Sequence, residues 1–128
     1  MFCFPKQERL CAKVRINSLF YQGKAFLSYP FSVRYLVCKQ ENIPLSVLIV
    51  CPKRYQKKAV DRNYIKRCMR EAWRLNNSNL KSLLKKNEFH LDVSLSYISK
   101  ERRNYNEIEE QIKKILVCLE KKVVNQIN

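Results

Sequence analysis

Glycine is almost missing from this chain, with Gly23 the single one in 128 residues. A phosphate-cradling loop needs several, because only a residue without a Cβ lets the backbone close around a phosphate. A Gly-rich nucleotide site is therefore excluded, and no small-molecule substrate is expected. Histidine is equally scarce, represented by His90 alone, and none of the six cysteines (3, 11, 38, 51, 68 and 118) stands in a CxxC pair. That argues against zinc and disulfide frameworks, and the cysteines read as reduced thiols serving as small hydrophobes. No run of about 18 apolar residues exists to span a bilayer, and the opening MFCFPKQERL lacks the apolar core of a signal peptide. A cytoplasmic protein without a membrane partner is expected.

Acidic residues are the scarcity with the largest consequence. Asp and Glu number 11 against 26 Lys and Arg, which gives a net charge of +15 and a pI near 9.8. Residues 1–100 carry 20 of the bases and 6 of the acids, so the surplus sits in the body of the chain, while residues 101–128 are almost neutral with 6 bases and 5 acids. Asp61, Glu71, Glu88 and Asp92 are scattered, with no pair or cluster spaced to hold two metal ions. A hydrolase built from this chain alone lacks its active site, and no catalytic or metal-binding residue is expected.

What is present is a globular composition, 46% hydrophobic in 15.4 kDa, long enough to bury a core without disulfides or metal. Neither repeats nor low-complexity linkers divide it, so 1–128 reads as one domain. Residues 1–12 read as an extended lead-in. Lys13 to Gln22 follows as a short helix, with Val14 or Ile16, Leu19 and Phe20 on one side and Gly23 as its stop. Phe31, Val33, Tyr35 and Val37 alternate with Ser32, Arg34, Leu36 and Cys38, the period of a strand with one buried face. After a polar connection at 40–44, residues 45–51 form a nearly continuous apolar run that reads as a central strand covered on both faces.

Residues 53–74, KRYQKKAVDRNYIKRCMREAWR, hold nine cations against Asp61 and Glu71. A helix entered near Gln56 and ended by the Asn-rich stretch at 76–79 sorts them. Ile65, Cys68, Met69, Ala72 and Trp73 form an apolar stripe. Arg62, Lys66, Arg70 and Arg74 recur every fourth residue beside it, with Asn63 and Arg67 on the same flank and Lys53, Arg54, Lys57 and Lys58 in the lead-in. Like charges at this spacing repel by a few tenths of a kcal/mol each in an isolated helix. A solvated face usually alternates bases with acids; this one does not, and guanidinium groups match phosphate bidentately at any physiological pH. Leu80 to Lys86 adds a turn or two of helix. Phe89, Leu91, Val93, Leu95 and Tyr97 then alternate with His90, Asp92, Ser94 and Ser96, a strand whose polar face makes His90 a surface histidine. Residues 100–104 read as a polar turn, and residues 105–123 as an amphipathic helix with the stripe Ile108, Ile112, Ile115, Leu116, Leu119 and Val123. The whole is an α+β arrangement of helices on a small sheet.

The run at 53–73 resembles the signature of the bacterial ribonuclease P protein subunit, at Lys53 and Arg54, Arg62 and Asn63, Ile65, Lys66 and Arg67, Arg70, and Trp73. LFYQGKAF at 19–26 is similar to that family's first helix end and glycine. Two positions depart: Tyr64 stands at the third place of an Arg-Asn-Arg core, and Ile16 where an aromatic is common. The resemblance implies a two-layer α+β sandwich of order αβββαβα, with a small mixed sheet and a left-handed βαβ crossover. It implies one component of a ribonucleoprotein endoribonuclease for tRNA 5′ maturation, in which a catalytic RNA subunit cleaves precursor tRNA with Mg2+. The protein would bind that RNA through the basic helix and the single-stranded 5′ leader in a cleft where Phe20, Ser32 and Arg34 are candidates for stacking and hydrogen bonding. Charge alone leaves a second reading open, a general RNA- or DNA-binding protein such as a ribosomal component.

Overall fold

In the computed structural model, residues 13–39 and 44–127 are described. The expected lead-in over 1–12, Cys3, Cys11, the side chain of Val14 and most of the 40–44 connection lie outside the described residues. Four strands, β1 (Lys24–Ser28), β2 (Phe31–Lys39), β3 (Leu45–Val50) and β4 (Phe89–Tyr97), form one mixed sheet in the order β1-β2-β4-β3. β1 with β2 and β2 with β4 are antiparallel, and β3 is parallel to β4. Two parallel neighbours cannot be joined by a hairpin and need a long crossover. Here that crossover consists of α2 (Ala59–Asn76) and α3 (Ser78–Lys86). With α1 (Lys13–Gln22) before the sheet and α4 (Tyr105–Ile127) after it, the observed order is αβββααβα. The extra helix relative to the expected order is the Leu80 to Lys86 turn grown to its full length.

One face of the sheet carries Phe31, Val33, Tyr35, Leu45, Val47, Leu91, Val93, Leu95 and Tyr97 into a single core with the apolar stripes of α2, α3 and α4. Both long-helix stripes expected from spacing are buried in full. α1 contacts β2 and β4 and lies on the opposite face, because Arg34, which alternates with the core residues Val33 and Tyr35, reaches back to Phe20 at its end. Gly23 ends α1, its N–H donating to the Leu19 carbonyl at 2.9 Å. A Cβ at Gly23 would fall 2.3 Å from that oxygen and 3.0 Å from the Tyr35 carbonyl, so the position needs a missing side chain rather than a left-handed backbone.

Two strand assignments exchange places. The apolar run at β3 is an edge strand, with Leu45, Ser46 and Val47 buried but Leu48, Ile49 and Val50 half-exposed. β4, the strand expected to keep a polar face in water, is an inner one. The returning crossover inserts it between β2 and β3, and α1 packs over it from the polar side. His90 is therefore no surface histidine: it is fully buried, with Nε2 2.6 Å from Asp92 Oδ1. Pairing is what makes such burial tolerable, since an unsatisfied polar group in the interior costs about 1–3 kcal/mol.

Candidate RNA interface

The basic helix begins at Ala59 rather than near Gln56. Pro52 and its carbonyl explain the delay: that oxygen accepts from the Tyr55 and Gln56 N–H groups, both at 3.2 Å, and closes a separate turn. Gln56 is buried, and its side-chain Nε2 donates to the carbonyls of Ser99 at 2.9 Å and Glu101 at 3.1 Å. The residue is committed to the loop between β4 and α4, and the extended backbone of Lys58, with ψ 130°, separates it from the helix. Arg62 then braces the entry, its Nη1 donating to the Gln56 carbonyl at 3.0 Å and the Lys57 carbonyl at 2.8 Å. Asp61 lies in the first turn, where a carboxylate meets the positive end of the helix dipole.

Because Ile65, Cys68, Met69, Ala72 and Trp73 are locked in the core, the remaining faces of α2 are set in direction. Lys53, Arg54, Lys57, Lys58, Asn63, Arg67 and Arg70 are exposed, while Arg62, Lys66 and Arg74 are half-buried. Among the described residues, no carboxylate lies within ion-pair reach of Lys66, Arg67 or Arg70. Arg74 differs, since its Nη2 sits 2.5 Å from Glu71 Oε1 and its Nε 3.4 Å from Oε2. Its charge is largely satisfied within the helix. Arg54 lies over the Tyr55 ring at 4.9 Å, which holds it at the mouth of the lead-in turn.

The candidates for a single-stranded ligand gather on the opposite sheet face. The Arg34 guanidinium is 5.3 Å from the Phe20 ring centre, and its Nη1 is 3.4 Å from the Phe20 carbonyl. Phe20 remains 45% exposed, enough ring to stack a base. Ser32 shares that face of β2, in register with Leu27 and Ser96. Sequence reasoning missed the loop after β4. Residues 100–104 are more than a polar turn: Arg102 places its guanidinium 4.1 Å from the Tyr64 ring centre and its Nη1 3.6 Å from Asp61 Oδ1. Adjacent arginines ahead of a helix are the only sequence signal for this, and the proximity itself is tertiary.

Among the described residues, no group of three or more His, Cys, Asp or Glu side chains converges to hold a metal ion, and no helix is long and apolar enough to cross a membrane. Cys38, Cys51, Cys68 and Cys118 form no disulfide. Burial pushes the thiols of Cys51 and Cys68 up from their ordinary value, which suits their use as packing groups.

A mixed sheet that anchors a cation-studded helix by its apolar side defines an α+β protein with a strongly basic helical face. A family model described as Ribonuclease P matches residues 4–121, and the chain belongs to that family. It is 32% identical over 117 residues to the ribonuclease P protein component of Porphyromonas gingivalis strain W83, covering 91% of this chain and 85% of that one. Over 75 residues it is 40% identical to the protein of the same name from Chlorobaculum tepidum, covering 56% of this chain and 49% of the other. The fold matches the RNase P protein of Staphylococcus aureus with a TM-score of 0.66 at 18% identity, over 88% of this chain and 94% of that one. It matches that of Thermotoga maritima with a TM-score of 0.63 at 24% identity, over 85% and 94%.

Proposed function

We propose that this chain is the RNA-binding protein subunit of ribonuclease P, assisting a catalytic RNA in removing the 5′ leader from precursor tRNA. The observation that carries the reading is the un-neutralised row Lys66, Arg67 and Arg70 on a helix whose other side is fixed in the core. Folding gains nothing from that row, whereas a folded RNA offers it closely spaced phosphates and releases counterions on binding. The cations of the lead-in, Lys53, Arg54, Lys57 and Lys58, extend the same surface toward the loop after β4.

The chemistry belongs to the RNA in this reading. The Mg2+ needed for cleavage belongs to the RNA-containing holoenzyme, and no step is routed through a residue of this chain. Phe20, Ser32 and Arg34 take the unpaired leader, with the ring stacking a base and the Arg34 guanidinium meeting the backbone. In this reading the assembly acts in the cytoplasm.

Reconstitution tests the proposal directly. The chain alone leaves precursor tRNA intact, and adding it to the ribonuclease P RNA of the same organism raises cleavage at low Mg2+. Cleavage by the protein without RNA overturns the division of labour. Equal affinity for unrelated duplexes, with no effect on precursor-tRNA cleavage, points instead to a general nucleic-acid-binding protein.

A further inference from the structure

On α2, residues 61, 64 and 67 are neighbours one turn apart, so Asp61, Tyr64 and Arg67 line a single flank of the helix. Of these only Arg67 is a cation. The loop after β4 supplies what the helix lacks. Gln56, buried and donating to the Ser99 and Glu101 carbonyls, pins that loop against the entry of α2. Tyr97 holds it from below, its hydroxyl donating to the Glu101 carbonyl at 2.6 Å. Arg103 is the more buried of the two arginines here, with Glu101 at 3.8 Å, Glu107 at 3.5 Å and the Tyr29 ring beside it, whereas Arg102 stands half-exposed with its guanidinium over Tyr64.

We propose that Arg102 is a phosphate-binding residue of the RNA interface, set on the ring of Tyr64 so that a cation from the β4–α4 loop continues the basic face of α2 beyond Arg67. The inference rests on the RNA-binding reading of that helix. Stacking on a ring leaves the edge of a guanidinium, with its N–H donors, free to point outward. The contact with Asp61 does not use up the charge: at 3.6 Å with both groups partly in water it is a weak pair. Arg102 and Arg67 flank Tyr64 from the loop and from the next turn of α2. Cys68, whose thiol is raised by burial, is drawn back by its contact with Tyr64 and then by the charges of both arginines.

The test is the salt dependence of binding between the full-length protein and the ribonuclease P RNA of the same organism, with thermal unfolding measured for each variant. Arg102→Ala weakens binding several-fold and lowers the slope of log K against log salt by about one ion, as for one lost phosphate contact. Adding Tyr64→Arg in the same background restores both, because the new guanidinium grows from the position that Arg102 covers. Adding Asp61→Asn instead leaves the loss in place. A wild-type slope for Arg102→Ala, or full recovery on Asp61→Asn, overturns the proposal and reduces Arg102 to a partner for that carboxylate. Arg67→Ala separates the two levels. If it weakens binding while Arg102→Ala does not, only the role of Arg102 falls; if neither variant changes binding, the RNA-facing reading of α2 falls with it.

Discussion

α2 and α4 lie against each other, each with an apolar stripe in the same core, yet their outward faces follow opposite rules. α4 balances its bases Lys113, Lys114, Lys121 and Lys122 with the acids Glu107, Glu109, Glu110 and Glu120, and Lys113 Nζ is 3.9 Å from Glu109 Oε1. α2 sets Arg62, Lys66, Arg67, Arg70 and Arg74 against Asp61 and Glu71 alone. On α2 only Arg74 has such a partner on its own helix among the described residues, in Glu71. Burial decides where a helix sits, and the outward charges decide what it meets. The small repulsion stored in the α2 row is tolerated because packing, worth far more, holds the helix in place.

The comparison breaks most visibly if the two stripes are unequal in importance. Trp73→Ala in α2 is expected to cost about 3–5 kcal/mol and Ile112→Ala in α4 about 2–5 kcal/mol, both read by denaturant unfolding. The outward faces separate next. Arg67→Ala with Arg70→Ala leaves stability within about 0.5 kcal/mol but lowers the salt slope of RNA binding by about two ions. Lys113→Ala with Lys114→Ala on α4 leaves that slope unchanged. Equal slope changes for the two pairs of variants would erase the distinction between the helices.

Titration sharpens the boundary where the helices meet. Glu109 accepts from Tyr105 Oη at 2.9 Å and from Asn76 Nδ2 at 3.2 Å, and these bonds hold its carboxyl below the usual carboxylate value. A lowered folded pKa gives stability that is fully present above the ordinary value near 4.5 and is lost as pH falls below that and through the lowered folded value. Glu109→Gln should flatten that acid limb in a pH series of unfolding curves. Burial, with the Glu109 hydrogen bond second, pushes Tyr105 from 10.0 up to about 12. A raised folded pKa works in the other direction: its contribution is complete below pH 10.0 and disappears as pH rises toward about 12. Tyr105→Phe should remove this alkaline limb. The smallest effect belongs to Lys113→Ala alone, a change within about 0.5 kcal/mol, because an exposed i,i+4 pair contributes little.

How far the chain could be read before folding differs by element. The stripes of α2 and α4 repeat at the helical period over several turns, and every residue assigned to them is buried. The core faces of β2 and β4 were equally legible from strict alternation. The ranking of strands was not, because the 45–51 run looks central by composition while position in a sheet depends on which neighbour the crossover inserts. His90 followed the same misreading, its polar strand face being covered by a helix far away in sequence. Of the candidate interface, the α2 cations and the meeting of Phe20 with Arg34 were visible in outline. Arg102 and Gln56 were not, since their significance lies in contacts spanning some forty residues.

By itself, the order of residues determined that a helix near the middle of the chain would be greasy on one side and cationic on the other, because both properties depend on a local period of 3.6 residues. Only the tertiary structure decided that β4 rather than β3 is an inner strand, that a histidine and an aspartate pair in the interior, and that an arginine from a distant loop rests on Tyr64. Those outcomes depend on which surfaces meet after chain closure, and no local pattern encodes them.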